Sequence, residues 1–145
     1  MTYYAVIDTN VIVSSMLKAD SIPGLIIQLI YENTITPLLN EEILEEYIEV
    51  LTRNKFNIPE EKIRKEISTI KEKSIFLERE RCLEELIDKD DVVFFEIVMS
   101  ARNTMDVYLI TGNMKHYPIR NYIVTPREMI DIIEKENGPI QIDSK

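Results

Sequence analysis

Short apolar runs alternate with longer amphipathic stretches along the chain, and this alternation predicts its elements of secondary structure. Residues 4–7 form a bulky, largely β-branched run that ends at Asp8, which is typical of a buried strand. Similar runs predict strands at 34–39, 107–111 and 122–124 and an extended segment at 74–78.

The stretches between these runs carry apolar residues at helical spacing and begin with capping residues. The clearest starts are Ser21 with Pro23, Asn40, and Thr125 with Glu128. The predicted helices cover 11–17, 22–32, 41–53, 63–73, 91–102 and 126–135. Strands that alternate with helices predict one α/β domain with a mainly parallel sheet over residues 1–136, followed by a flexible tail at 137–145.

Asp8 is the first candidate for a functional residue. It follows the first predicted strand, and ligand sites in open parallel sheets lie at the carboxyl ends of strands. The alternative is structural, with Asp8 as the N-cap of the next helix or beside Asn10 as that cap.

Glu46 borders the apolar stripe of the helix at 41–53, since Ile43 and Val50 are its i−3 and i+4 neighbours. A carboxylate on the inner side of a helix costs desolvation energy unless it is paired or bound to a metal ion. The alternative is that a slightly rotated helix leaves Glu46 on the surface.

Three acids, Asp88, Asp90 and Asp91, precede the most apolar helix, and Glu96 interrupts it. N-capping explains one of the three but does not require all of them. Glu96 is interpreted as a supporting or structurally paired carboxylate. Carboxylates that converge from several elements are ligands for Mg²⁺ or Mn²⁺, which can activate water and neutralise charge on a phosphoryl group.

Composition narrows the classes of function. With 17 Lys+Arg against 26 Asp+Glu, the net charge is −9. This charge excludes a diffuse basic surface. A nucleic-acid substrate would therefore require a local basic patch or bound cations. The single cysteine, Cys82, excludes an intramolecular disulfide and indicates a reducing compartment. Only three glycines are present, and they form no phosphate-binding loop. Without an apolar run long enough for a membrane span or a signal peptide, a cytoplasmic location is expected.

Four segments, taken in order, resemble the motifs of PIN-domain nucleases. They are Val6-Ile7-Asp8-Thr9-Asn10, the helix at 44–51, Asp88-Lys89-Asp90-Asp91 with its apolar helix, and Tyr108-Leu109-Ile110-Thr111-Gly112-Asn113. Their order and the ending Val124-Thr125-Pro126-Arg127-Glu128 are most similar to the single-domain, VapC-like branch of toxin components from toxin–antitoxin pairs. The resemblance covers nearly the whole chain.

This resemblance implies a three-layer α/β/α fold and a Mg²⁺- or Mn²⁺-dependent ribonuclease that cuts single-stranded RNA. It implies that Asp8, Glu46 and Asp91 are the catalytic, metal-binding acids. Asn113 stands where the family usually has Asp, so it offers a ligand oxygen without charge. The supporting residues implied or suggested here are Thr9, Asn10, Asp88, Asp90, Glu96 and Thr111. A small antitoxin protein and a second copy of the chain are the expected partners.

Five basic or titratable side chains are candidates for holding RNA phosphates, with scattered surface charge as the alternative. They are Arg53, Lys55, Lys115, His116 and Arg120. His116, the single histidine, is interpreted either as an exposed loop residue or as a neighbour of a substrate phosphate, and Tyr117 as a residue that could stack on a base. Two other functions stay open: an inactive PIN scaffold that binds RNA or a protein, and a phosphatase with Asp8 as nucleophile, although the second Asp of a D-x-D motif is missing.

Overall fold

Five short strands lie side by side at the centre of the fold in a computed structural model, which describes residues 1–78 and 91–140. In chain order they are β1 (Tyr3–Ile7), β2 (Ile35–Leu39), β3 (Ile75–Phe76), β4 (Val107–Ile110) and β5 (Ile123–Val124). All neighbours pair in parallel, in the order β3-β2-β1-β4-β5. The predicted parallel sheet is confirmed, with β1 as its middle strand.

Six α-helices in the described part of the chain flank this sheet. They are α1 (Thr9–Leu17), α2 (Ile22–Tyr31), α3 (Glu41–Leu51), α4 (Glu60–Lys73), α5 (Val92–Ala101) and α6 (Pro126–Asn137). Three helix starts are capped as the sequence predicts. The Ser21 hydroxyl and the Asn40 side-chain oxygen accept backbone N–H groups of α2 and α3, and Thr125 with Glu128 forms a full capping box. The three-layer α/β/α arrangement is confirmed.

The register of the two central strands determines which residues meet at the carboxyl end of the sheet. Ile7 of β1 lies opposite Ile110 of β4, and both side chains are fully buried. The next residue on each strand is therefore polar and adjacent to its counterpart: Asp8 follows Ile7 and Thr111 follows Ile110. The apolar core holds the strands in this register, because a shift by one residue would move their buried side chains to the opposite face of the sheet.

The chain is held in place beyond the predicted start of the tail at residue 137. Asn137 belongs to α6, and its side-chain amide donates to the Tyr3 hydroxyl (2.7 Å) and to the Ile133 carbonyl (2.9 Å). The Ile140 side chain packs against the core, and its N–H donates to Glu134 Oε2 at 3.1 Å. The flexible tail at 137–145 stays a prediction, and residues 141–145 lie outside the described part.

In the described ranges no single helix is long and apolar enough to cross a membrane. The pair α1 and α2, bent by 101°, passes that test by length and composition only. The side chains that make α1 and α2 apolar are largely part of the core, including Ile12, Ile26 and Ile30, which are fully buried.

Candidate active site

Asp8 occupies the carboxyl end of β1 with a nearly buried side chain (4% exposed). Its Oδ2 atom accepts hydrogen bonds from the Thr111 hydroxyl (2.7 Å) and the Tyr117 hydroxyl (3.1 Å). Asp8 stands at the N-cap position of α1, but its carboxylate makes no capping hydrogen bond. Asn10 does not cap α1 through its side-chain oxygen either, because that oxygen accepts the Gly112 N–H instead (2.9 Å). The structural alternative for Asp8 therefore does not explain its carboxylate.

Burial raises the pKa of Asp8, and its hydrogen bonds with Thr111, Tyr117 and the first two residues of α1 only partly offset this effect. The hydroxyl donors stabilise the charged carboxylate, but they do not fully replace the lost water. A cation beside the carboxylate would supply the missing stabilisation. Perturbed carboxylates of this kind are concentrated at functional sites.

Glu46 joins the same region from α3, where its side chain is half-buried. Thr9, at the start of α1, donates its hydroxyl to Glu46 Oε2. The neighbouring Tyr47 is buried, and its hydroxyl donates to the Ile7 carbonyl at the end of β1 (2.5 Å). Burial and then the negative charges of Asp8 and Glu46 raise the pKa of Tyr47 well above its usual value. Both carboxylates are thus close enough to act on one hydroxyl.

Asp91 is the residue before α5 and is 9% exposed. Like Asp8, it stands at an N-cap position without a capping hydrogen bond from its side chain. Its Oδ2 atom lies 2.8 Å from Nδ1 of His116. Because an ionised carboxylate can only accept, Nδ1 carries the proton and donates. His116 is therefore bound to one of the predicted catalytic acids instead of being a free loop residue.

Tyr117 connects Asp8 with Asp91. Its ring is buried (6% exposed), and burial followed by the charges of Asp8 and Asp91 raises the pKa of its hydroxyl, which interacts with both carboxylates. The negative charges of Asp8 and Glu46 thus act on the Tyr47 hydroxyl, and those of Asp8 and Asp91 act on the Tyr117 hydroxyl. The three acids, one after β1, one on α3 and one before α5, thus lie at one edge of the sheet.

The loop after β4 is tied to this edge by its backbone. The Asn113 N–H donates to the Thr111 hydroxyl at 2.9 Å, and the Gly112 N–H donates to Asn10. A Cβ atom on Gly112 would lie 2.9 Å from the Asn10 side-chain oxygen, so glycine permits this close approach. Thr9, Asn10 and Thr111 thus all make hydrogen bonds at this edge, and their supporting role stays a prediction. Asn113 contributes its backbone, and its exposed side chain stays a predicted ligand.

Comparison with known proteins identifies the family. The family model described as a PIN domain matches residues 4–115. This chain belongs to the PIN-domain family. It is also 27% identical over 141 residues to an uncharacterized protein of Methanocaldococcus jannaschii, with 90% of this chain and 91% of that protein covered. PIN domains are generally nucleases, and PIN nucleases generally use divalent metal ions, so the acids at the sheet edge are the candidate nuclease site.

Residues of this PIN domain fit a metal ion in their chemistry. Asp8, Glu46 and Asp91 offer the carboxylate oxygens that Mg²⁺ and Mn²⁺ prefer, and the raised pKa of Asp8 is the disturbance that a cation would relieve. Among the described residues, however, no three His, Cys, Asp or Glu side chains converge closely enough to form a metal-binding group. The metal site is therefore supported by the carboxylate oxygens of the three acids and by the action of their charges on the hydroxyls of Tyr47 and Tyr117.

Two other predicted acids, Asp88 and Asp90, lie outside the described residues. Glu96 is buried within α5 (4% exposed), which agrees with an inner position on that helix. Its role as a supporting carboxylate stays a prediction.

The predicted RNA-binding residues are not all close to the acids. Arg53 pairs with Glu49 at 2.8 Å and lies seven residues beyond Glu46, about 10 Å further along the chain direction of α3. Lys55 lies over the Phe56 ring, 5.0 Å from its centroid. By contrast, Lys115 is exposed on the same turn as His116 and is a direct neighbour of the site in sequence.

Arg120 lies further along the chain, where its Nη1 donates to the Ile119 carbonyl at 3.0 Å. Of the five predicted RNA contacts, His116 is bonded to a site carboxylate in the described part of the chain. Sequence reasoning missed the roles of Tyr47 and Tyr117. A tyrosine within an apolar helical stripe, as Tyr47 is, signals a buried hydroxyl that needs a polar partner, but it does not identify that partner.

Proposed function

We propose that this PIN domain is a metal-dependent endoribonuclease that cleaves single-stranded RNA. The observation that carries the proposal is the hydrogen bonding of three acids at the carboxyl edge of the sheet: Tyr117 donates to Asp8, the adjacent His116 contacts Asp91, and Thr9, which follows Asp8, donates to Glu46. The nuclease character of the family supports phosphodiester hydrolysis as the reaction. The resemblance of the four sequence motifs to ribonuclease toxins supports RNA as the substrate.

In this proposal Asp8, Glu46 and Asp91 hold Mg²⁺ or Mn²⁺, with the Asn113 side-chain oxygen as a further, uncharged ligand. The bound ion supplies a more acidic water and offsets the negative charge that develops on phosphorus. Thr111 and Tyr117 keep Oδ2 of Asp8 oriented by donating to it, and Thr9 does the same for Glu46. These neutral donors fix the carboxylates without neutralising them, so the charge stays available to a cation.

RNA must approach a protein with a net charge of −9, so phosphate binding depends on local positive charge. Lys115 provides it next to the contact between His116 and Asp91, and Arg120 follows on the same loop. Arg53 and Lys55 would contact only a longer RNA that extends along α3. RNA binding without divalent cations is expected to be weak, because the acidic cluster then repels phosphate.

The VapC-like motif pattern supports a biological role as the toxin of a toxin–antitoxin pair in the cytoplasm. The partners proposed on this basis are a small antitoxin protein and a second copy of the chain. Expression of the chain alone should arrest growth, and co-expression of the product of a small neighbouring reading frame should relieve the arrest. Growth that is unaffected by an active, well-expressed chain would contradict the toxin role while leaving the nuclease proposal intact.

The nuclease proposal is tested with an unstructured, end-labelled RNA in the presence of Mn²⁺ or Mg²⁺. We expect internal cleavage that stops with excess EDTA and returns when the divalent ion is restored. The Glu46→Gln variant should lose the activity, while the Glu49→Gln variant on the exposed face of the same helix should keep it. Cleavage that persists in EDTA, or equally in both variants, would contradict the mechanism.

One observation favours a second candidate, an inactive scaffold that binds RNA or a protein. Asn113 stands where the family pattern usually has Asp, and its side chain is exposed. Single-turnover assays with excess protein and Mn²⁺ separate the candidates, since a weak enzyme still converts the bound RNA once. The Asn113→Asp variant should accelerate a weak enzyme, whereas a scaffold would bind RNA without cleaving it in either form.

A further inference from the structure

A short turn after β4 contacts two of the three acids at once. The 3₁₀-helix Met114–His116 is followed directly by Tyr117, and we call this segment the 114–117 turn. His116 contacts Asp91 at 2.8 Å, and Tyr117 contacts Asp8 at 3.1 Å. Two consecutive residues thus engage carboxylates from two distant parts of the chain.

The 114–117 turn is itself anchored to the site. The N–H groups of His116 and Tyr117 donate to the carbonyls of Asn113 and Met114, at 3.0 and 3.2 Å. The Asn113 N–H donates to the Thr111 hydroxyl, which in turn donates to Asp8. The hydrogen bonds therefore form a closed path from Asp8 through Thr111 and the turn, and back to Asp8 through Tyr117.

The two carboxylates need such a connection because they have different supports. Asp8 is fixed by the middle strand of the sheet, whose register is set by buried residues. Asp91 is the residue directly before α5, and its carboxylate makes no capping hydrogen bond with that helix. Two carboxylates that share the surroundings of one buried hydroxyl repel each other, so their separation must be maintained by contacts.

We infer that the 114–117 turn is a bracket that keeps Asp8 and Asp91 in place for a shared divalent cation, with His116 and Tyr117 as positioning residues. His116 orients the Asp91 carboxylate through Oδ2, and Tyr117 orients the Asp8 carboxylate through Oδ2. His116 thereby acts through Asp91 and not as a contact to RNA. The inference rests on the proposed metal-dependent function and adds two residues that the three-acid site does not include.

Calorimetric titration of the full chain with Mn²⁺, in the absence of RNA, tests the bracket. We expect His116→Ala and Tyr117→Phe each to weaken Mn²⁺ binding by about 10–100-fold, as is typical when a partner of a ligating side chain is removed. His116→Asn should recover most of the affinity, because its amide nitrogen takes the place of Nδ1. His116→Gln, whose amide reaches the place of Nε2, should not. Tyr3→Phe is the matched control, since it removes a tyrosine–carboxylate hydrogen bond at the other end of the sheet.

Cleavage kinetics distinguish positioning from RNA contact. If the bracket acts as inferred, saturating Mn²⁺ restores kcat of His116→Ala and leaves its KM for RNA unchanged. A raised KM with wild-type Mn²⁺ affinity would overturn the inference and leave the proposed nuclease intact. No Mn²⁺ binding by the wild-type chain, with EDTA-resistant cleavage, would overturn both. Thermal melting in EDTA checks that the variants fold. If Tyr117→Phe does not fold, His116→Ala still tests the inference, because the His116 side chain is half-exposed.

Discussion

The two ends of the parallel sheet each pair a buried tyrosine with a carboxylate, yet they differ in what surrounds the pair. At the amino end the Tyr3 hydroxyl donates to Glu136 at 2.8 Å, and Glu136 is exposed. At the carboxyl end the Tyr117 hydroxyl donates to Asp8, which is 4% exposed, and the charges of Asp8 and Asp91 both act on that hydroxyl. A tyrosine–carboxylate hydrogen bond alone is therefore structural, and the functional signature is several acids brought together away from water.

Chain topology explains the difference between the ends. In a parallel sheet all strands finish at the same edge, so polar residues after β1 and β4 become neighbours even though they are about 100 positions apart. The amino edge receives strand starts, and its Tyr3 pair is completed by α6 near the end of the described chain. Function is thus expected at the carboxyl edge only.

The largest expected effect comes from removing the charge of one acid at each edge. Asp8→Asn should lower the cleavage rate by more than about 100-fold, beyond the loss typical of residues that only support a metal ligand. Glu136→Gln should change the rate less than twofold. Initial rates on one labelled RNA at saturating Mn²⁺ provide the measurement, with melting temperatures to verify that both variants fold. Similar losses in both variants would show that the edges do not differ in function.

Thr111→Val tests the buried support of Asp8 through stability. The change removes the hydroxyl that donates to Asp8 and that accepts from the Asn113 N–H. Because a hydrogen bond to a charged, buried group is lost, the free energy of unfolding should fall by about 2 kcal/mol. Thr104→Val on an exposed turn is the control and should change it by less than about 0.5 kcal/mol. Denaturant titration in EDTA gives both values, and equal losses would argue against a special role of Thr111.

The fold could be predicted from the sequence because each strand and most helix limits have local causes. The apolar run before Asp8 ends where β1 ends, and the capping residues Asn40 and Thr125 define where α3 and α6 begin. The end of α6 was harder to predict, since Asn137 and Ile140 are held by contacts with Tyr3 and Glu134. Such contacts join distant parts of the chain and leave no periodic pattern in the sequence.

The candidate site could be predicted only in part for the same reason. Asp8 and Glu46 were identifiable because each breaks an apolar pattern at its own position. The contacts of His116 and Tyr117 with Asp91 and Asp8 depend on how the loop after β4 folds back, which local propensity does not specify. Arg53 follows the Glu46 helix in sequence and is paired with Glu49, and its contact with RNA stays a prediction.

The pH dependence of stability should distinguish the buried acid from the exposed one. Burial raises the pKa of Asp8 in the folded protein, so the folded chain binds this proton more tightly than the unfolded chain. The stability that Asp8 contributes is then complete below its ordinary pKa of about 3.9 and is lost as the pH rises through the folded pKa. Asp8→Asn lacks this titration.

In metal-free buffer the unfolding free energy of Asp8→Asn, relative to the wild type, should therefore increase as the pH rises from about 4 to 7. Denaturant titrations at several pH values provide the comparison, with Glu136→Gln as the exposed control. A difference between Asp8→Asn and the wild type that stays constant over this range would contradict the raised pKa. Added Mn²⁺ should make the wild type more stable than Asp8→Asn at neutral pH, because the ion stabilises only the charged carboxylate.

The smallest expected effect is that of Tyr3→Phe at the amino edge. After this change the exposed Glu136 can turn to water, and the Asn137 amide keeps its hydrogen bond to the Ile133 carbonyl. The loss of unfolding free energy should therefore be about 0.5–1 kcal/mol, the usual net contribution of a hydrogen bond. Tyr117→Phe removes the same hydroxyl but leaves Asp8 buried without one of its donors, so its cost in EDTA should be larger. Equal losses of unfolding free energy in Tyr3→Phe and Tyr117→Phe, measured by parallel denaturant titrations, would contradict the idea that burial of the acid distinguishes the two edges.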